Sequence, residues 1–185
     1  MMSERIYLNN DWKFAEQFEA SMTEAAYDDS VMQNVRLPHT CKETPLHYFD
    51  EHCYQMVSGY RRVIEAEEAW KGKKILLTID GAAHDLEVFL NGDKVGEHHC
   101  GYTAFTMDIS GVLRYGEKNI LVVKVDSRED LNIPPFGYVI DYMTYGGIYR
   151  DVYLDIKNKD YIEDIFIRTN IGQMDDQNAE LISEV

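Results

Sequence analysis

Three histidines are the first side chains in this sequence to suggest chemistry. His84, His98 and His99 are of the type that holds metal ions, and adjacent histidines recur in metal sites. Consecutive residues of a strand point to opposite faces, however, so His98 and His99 would be separated by the sheet itself. With no Asp, Glu or Cys at ligand spacing, no metal and no cofactor is expected in this chain. His39, directly after Pro38, reads as a residue that packs or caps a turn. A second candidate is Arg150. Ile148, Arg150, Val152, Leu154 and Ile156 alternate with Tyr149, Asp151, Tyr153 and Asp155, the period of a strand, which sets an arginine in an apolar row. Desolvating a lone guanidinium costs several kcal/mol, so Arg150 is expected to be structural, clamping a carboxylate or backbone carbonyls. A third candidate is a group of tyrosines. Tyr138, Tyr142 and Tyr145 lie outside any alternating pattern. Aromatic faces stack on pyranose rings, so these three could line a groove for a sugar, whereas core packing accounts for most of the other tyrosines.

The elements that must position these groups are strands. Trp12 and Phe14 alternate around Lys13, a short segment whose rings seal one end of a core. Residues 15–26 are weakly helical, Asp28-Asp29-Ser30 is a turn, and the stretch from His39 to Val57 has no period and is a long loop. Strands are then predicted over Tyr60 to Ile64, Ile75 to Ile79, Leu86 to Leu90, Phe105 to Ile109 and Asn119 to Val125, the last a dense β-branched run suited to a central strand. Asn91-Gly92 is the pair best suited to a two-residue type I′ hairpin, which predicts Leu90 facing Asp93 and Val88 facing Val95. Regularity stops again from Asp126 to Tyr145, with Ile133-Pro134-Pro135 stiffening the middle and Gly146 and Gly147 allowing a sharp turn into the strand that ends at Ile156. Short strands about 8 to 12 residues apart, with turn signals between them and no long helix, indicate an antiparallel β-sandwich. A jelly roll is the specific form expected.

Composition narrows the function class. Thirty-three acidic against eighteen basic residues give a formal charge of −15, a surface that repels phosphate backbones and anionic membranes. Neither nucleic acid nor a membrane is an expected partner. No window reaches the length of a signal or membrane segment, so the chain as given reads as cytoplasmic. Cys41, Cys53 and Cys100 are odd in number and lack ligand spacing, so buried or free thiols are expected in place of a disulfide framework.

Several pieces of the sequence carry a family resemblance. Asp-x-x-x-Tyr-Gly-Gly-Ile-Tyr-Arg-Asp-Val, from Asp141 to Val152, resembles the end of the amino-terminal sugar-binding domain of glycoside hydrolase family 2, the β-galactosidase and β-glucuronidase family. Asn10-Asp11-Trp12-Lys13-Phe14, Leu37-Pro38-His39-Thr40, Gly59-Tyr60-Arg61-Arg62, Asn91-Gly92-x-x-Val95-Gly96, Gly101-Tyr102-Thr103-x-Phe105 and Ile133-Pro134-Pro135 match in the same order. The resemblance covers residues 5–160. It implies a jelly-roll sandwich whose loop aspartate, Asp141, reaches a neighbouring active site and accepts hydrogen bonds from sugar hydroxyls, with Tyr142 and Tyr145 beside it as further substrate-binding candidates. Retaining glycosidases work with two carboxylates about 5 to 5.5 Å apart. In the resembling family both stand on a separate barrel, and none of the acidic residues here matches those motifs, so no catalytic residue is expected in this chain.

The charge pattern changes after Lys157-Asn158-Lys159. Residues 1–160 are read as the sugar-binding domain. Residues 161–185, with strands at Tyr161 to Thr169 and from Ala179 and a turn between them, are read as a linker and the first strands of a truncated immunoglobulin-like sandwich, as the resemblance implies. The leading expectation is the non-catalytic sugar-binding domain of a β-glycosidase, most nearly a β-galactosidase, whose partner is a β-linked sugar, with a homo-oligomer allowed. The alternative is a free-standing carbohydrate-binding module, which would end soon after Ile156 and present a complete aromatic platform.

Overall fold

The computed structural model describes residues 4–44, 46–47, 50–134, 136, 145–171 and 179–184. Twelve strands occur among them: β1 (Glu4–Tyr7), β2 (Trp12–Ala15), β3 (Gln33–Val35), β4 (Val57–Glu65), β5 (Lys74–Ile79), β6 (Asp85–Leu90), β7 (Asp93–His99), β8 (Phe105–Asp108), β9 (Lys118–Asp126), β10 (Val152–Lys157), β11 (Phe166–Ile171) and β12 (Ala179–Glu184). A six-stranded sheet runs β3-β2-β4-β9-β6-β7 and a four-stranded sheet runs β1-β10-β5-β8, while β11 and β12 pair only with each other. The strand pairs are antiparallel. Among the described residues neither sheet closes into a barrel, and the architecture is all-β with two sheets, consistent with a jelly-roll-like sandwich.

The alternation visible in the sequence decides which side chains meet between the sheets. Tyr60, Ile64, Leu86, Val88, Leu90, Leu121, Val123 and Val125 face Ile75, Leu77, Ile79, Val152, Leu154 and Ile156 in one core, with Trp12 fully buried among them. β9 lies between β4 and β6, as its β-branched run predicts, and it is buried on both faces. Its outward Val122 is covered by Met22 and Met32, with Phe18, Tyr27 and Phe89 around them. Each such fully buried side chain is worth about 1.5 to 3 kcal/mol over leaving it exposed. This outer cover comes from residues 15–32, where the weakly helical pattern resolves into short 3-10 turns at Ala20–Thr23 and Asp29–Val31.

Arg61 pins the cover in place. Its guanidinium is buried, donates to the carbonyls of Met22 at 3.2 Å and Glu24 at 3.3 Å, and pairs with Asp29. The side chain of Asp28 caps the second turn by accepting from the Ser30 amide at 3.0 Å.

The hairpin at Asn91-Gly92 has both residues at positive φ, 55° and 98°, as a type I′ turn requires, and Leu90 faces Asp93. Beyond the turn the expected register fails. A bulge between Val88 and Phe89 puts Val88 opposite Gly96 and leaves Val95 out of step. A Cβ at Gly96 would stand 2.8 Å from the ring of Phe105, so the residue opposite Val88 has to be the glycine. Among its described residues the long loop from His39 contains a 3-10 turn, Glu51–Tyr54, before β4 begins at Val57. In the tail, β11 starts at Phe166, later than the predicted Tyr161, and the expected turn between the tail strands lies outside the described residues.

Candidate functional site

The stretch after β9, which has no strand pattern in the sequence, is bounded at both ends by well-built structure. At its start the Ser127 amide donates to the Met56 carbonyl at 2.8 Å. Arg128 folds back on Asp126, giving its backbone N–H (3.0 Å) and Nε (2.9 Å) to one oxygen and Nη2 (2.6 Å) to the other. These bonds hold the Asp126 carboxyl below the usual carboxylate range against the opposing effect of burial. Further on, the Gly101 amide donates to the Pro134 carbonyl at 3.2 Å, tying the stiff end of the stretch to the turn after β7.

The other end is a corner at residues 145–148, threaded between two neighbours. On one side the amides of His39 and Cys41 donate to the carbonyls of Ile148 (2.8 Å) and Gly146 (2.9 Å); on the other, Ala83 and Gly147 exchange bonds at 3.0 and 3.4 Å. The corner is so closely packed that only glycine fits. Gly147 has φ +106°, and a Cβ there would stand 2.7 Å from Tyr60 Oη, 2.8 Å from the His39 carbonyl oxygen and 2.9 Å from the Cys41 nitrogen. At Gly146 a Cβ would run into the side chain of Ser127 and stand 2.6 Å from Cys41 Sγ. Sequence reasoning singled out the two glycines for a sharp turn. The closer constraint is the approach of Cys41, Tyr60 and Ser127, for which nothing local gives a signal.

Burial shapes the chemistry of this corner. His39 Nδ1 and Tyr60 Oη share a hydrogen bond of 2.8 Å, with Phe14 packed against both rings. Desolvation holds His39 below the ordinary histidine value, pushes the Tyr60 phenol up so that it stays protonated, and pushes the Cys41 thiol up to about 11. All three cysteines are unpaired, and Cys41 is buried.

Of the predicted substrate residues, Tyr145 lies at the corner and is half exposed, at 52%. Asp141 and Tyr142, and Tyr138 with them, lie outside the described residues. Arg150 requires a correction. Its row does begin with buried Ile148 and continue with buried Val152, Leu154 and Ile156, yet β10 starts only at Val152 and Arg150 is exposed. The chain turns between Ile148 and Val152, which breaks the alternation at that one position. Arg150 Nη1 reaches the carbonyls of Tyr102 at 3.2 Å and Asp80 at 3.4 Å, so it does meet backbone carbonyls, from the surface. Beside it the Tyr149 hydroxyl donates to the Gly101 carbonyl. The arginine that shares the inward row of Tyr60 and Ile64 is Arg62, half-buried near Asp11, with its Nε and Nη1 lacking partners among the described residues.

The histidines divide as strand geometry demands. His98 stacks on Phe105 at 5.1 Å and bonds Thr103, while His99 Nδ1 meets Asp85 Oδ1 at 2.6 Å. Among the described residues no group of three His, Cys, Asp or Glu side chains could hold a metal ion. No described helix is long and apolar enough to cross a membrane.

With this geometry in hand, known proteins provide the frame. Over 97% of its length the chain is 38% identical to a β-galactosidase of Thermoanaerobacter pseudethanolicus, and over 91% it is 41% identical to one of Thermoanaerobacterium thermosulfurigenes, covering 26% and 24% of those proteins. Among solved structures, Bacteroides uniformis β-glucuronidase 2, covalently bound to cyclophellitol-6-carboxylate aziridine, superposes with a TM-score of 0.79 at 31% identity, over 91% of this chain and 20% of that one. The chain thus spans about a quarter of the length of the relatives it matches. Residues 7–158 match the family described as glycosyl hydrolases family 2, sugar binding domain, and the chain belongs to that family as its amino-terminal sugar-binding module.

Proposed function

We propose that this chain is the non-catalytic, jelly-roll sugar-binding domain of a retaining β-glycosidase of the β-galactosidase type, and that the segment between Phe136 and Tyr145 forms one wall of an active site whose acid and nucleophile stand on a separate barrel domain. The observation that carries this reading is the locked corner at Gly146 and Gly147. Its backbone is held from both sides by hydrogen bonds with His39, Cys41 and Ala83, which fixes the point from which a substrate-contacting loop would be anchored. Asp141 is the side chain assigned to sugar hydroxyls, with Tyr142 and Tyr145 as its neighbours. The galactosidase assignment follows the relatives of highest quoted identity. Residues 161–185 are read as the opening of an immunoglobulin-like sandwich, supported by a β11–β12 pair that joins neither main sheet and by exposed apolar side chains at Ile162, Ile165, Phe166 and Ile167.

A carboxylate accepting hydrogen bonds from hydroxyls contributes about 1.5 to 3 kcal/mol, and whatever part strengthens in the transition state appears in turnover. Asp141→Ala in the full-length enzyme is therefore expected to lower kcat/KM by about ten- to a hundredfold while leaving the denaturation midpoint of this domain unchanged. Loss of stability instead would make Asp141 a structural partner, and no change in either quantity would make it a solvated residue. The isolated chain is expected to hydrolyse no aryl β-glycoside. A free-standing binding module would gain support if the purified chain bound sugars as tightly as the whole enzyme does.

A further inference from the structure

His39 and Tyr60 belong to separate motifs, Leu37-Pro38-His39-Thr40 and Gly59-Tyr60-Arg61-Arg62, and the fold brings them together under the corner. Phe14 of β2 lies 4.8 Å from the His39 ring and 4.9 Å from that of Tyr60, centre to centre, and the His39 and Tyr60 rings meet edge to face at 5.6 Å. His39 holds Ile148 from two directions. Its own amide donates to the Ile148 carbonyl at 2.8 Å, while the phenol oxygen bonded to His39 Nδ1 accepts from the Ile148 amide. The same oxygen and the His39 carbonyl oxygen form the surface on which Gly147 rests, 2.7 and 2.8 Å from where its Cβ would stand. Ile148 is fully buried, so its N–H and C=O have to be answered within the protein, and this one unit answers both.

The direction of the bond between His39 and Tyr60 follows from this. With its oxygen accepting from Ile148 and burial keeping the phenol protonated, Tyr60 has its O–H left to give, and Nδ1 is the acceptor 2.8 Å away. Neutral His39 then carries its ring hydrogen on Nε2. A proton added to the ring sits on Nδ1 and faces the phenol hydrogen, so that two donors oppose each other. The phenol accepts from Nδ1 only by turning its own hydrogen into a buried space, and among the described residues no second side-chain acceptor is bonded to it. From the loop itself the exposed Glu43 favours the charged ring, but desolvation outweighs it, and Cys41 and Tyr60 are held neutral by burial. β2 contributes Phe14 and the corner contributes Gly146, Gly147 and Ile148, none of which carries a charge.

We propose that His39 is a positioning residue for the glycosidase reaction: through the Tyr60 hydroxyl it fixes the corner from which the substrate-contacting loop is anchored, and it does so only while Nδ1 is bare. This rests on the reading of the segment between Phe136 and Tyr145 as one wall of the active site, and it adds that the wall is set by the protonation of a residue outside that segment. Burial lowers the pKa of His39, so the working form prevails at neutral pH and is lost as the pH falls through the folded value.

Nitrogen-15 magnetic resonance of the chain tests the geometry. His39 is expected to carry its hydrogen on Nε2, and on acidification the Gly146, Gly147 and Ile148 amide signals should move with the midpoint of the His39 ring, below about 6.5. A hydrogen on Nδ1 of the neutral ring, or amides that stay in place while the ring titrates, would overturn the inference. Kinetics of the full-length enzyme test the consequence. His39→Asn sets a carboxamide oxygen near the place of Nδ1 and cannot titrate, so the ratio of wild-type to His39→Asn kcat/KM should fall by about tenfold as His39 gains its proton. Tyr60→Phe removes the hydroxyl through which the coupling runs and should follow the His39→Asn pH profile. A ratio that stays flat with pH, or a Tyr60→Phe enzyme that keeps the wild-type profile, would reduce His39 to a packing residue. Asp141→Ala separates the two readings: no effect on kcat/KM would bring down the wall and this inference with it, whereas a full effect beside a flat ratio would bring down this inference alone.

Discussion

The cover at residues 15–32 and the corner at residues 145–151 each meet an arginine, Arg61 of β4 beneath the first and Arg150 within the second, and the two do unequal amounts of work. Arg61 is buried beneath the cover and holds it through two carbonyls and Asp29. Arg150 lies on the outside of a corner that is already held by backbone bonds and by the fit of Gly146 and Gly147. The cover has few backbone bonds of its own to the sheet, so a long side chain must supply them; the corner has them in the main chain, so its side chain is secondary. A charged residue in an apolar pattern is therefore a pin only where nothing else closes the gap.

This contrast can be broken experimentally, and its largest expected effect is at the corner's glycine. Gly147→Ala combines a positive φ with clashes against two backbone atoms that cannot yield, and is expected to cost about 3 to 5 kcal/mol in chemical denaturation. A near-wild-type midpoint would mean the corner is loose. Next comes Arg61→Met, which strands the Met22 and Glu24 carbonyls and the partly exposed Asp29. A loss of about 2 to 3 kcal/mol is expected, with faster proteolysis within residues 15–32 than elsewhere. Arg150→Met sits well below both. Burial would have implied about 3 to 5 kcal/mol, but an exposed guanidinium with two long carbonyl contacts should matter by less than about 1 kcal/mol. Equal losses for the two arginine variants would erase the distinction drawn between them.

The smallest effect is a pH dependence confined to the corner. His39 and the neighbouring His84 both have pKa values lowered by burial, so the folded chain resists protons that the unfolded chain accepts. Stability from these two groups is fully present above the unfolded value of about 6.5 and is lost as pH falls from there toward the folded values. Residues 15–32 contain no histidine, so the cover should be indifferent to it. Ring-proton titrations with midpoints below about 6.5, together with a denaturation midpoint that drops across the same interval, are the expected observations. A midpoint flat across that range would remove the corner's sensitivity.

Much of the fold was legible because it is written in local pattern. Alternation marked β4, β5, β6, β8, β9 and β10, and Asn91-Gly92 marked the hairpin, since side-chain direction in a strand and positive φ in a turn depend on adjacent residues alone. Pattern also carried the family motifs, including the Tyr145 to Val152 stretch that forms the corner. Asp141 and Tyr142 were named from those motifs, and their surroundings lie outside the described residues. What pattern could not supply was which faces become covered and by what. Arg61 and Arg150 both stand in alternating runs, and only the folding of residues 20–31 over β4 buries the first while the turn before β10 exposes the second. The Val88–Gly96 register depended on the ring of Phe105 from another sheet, and the need for glycine at position 147 depended on Tyr60, His39 and Cys41, all distant in the chain. Contacts between segments far apart in sequence leave no periodic trace in either one, so burial, close approach and the partners of a charged group were decided by the tertiary structure.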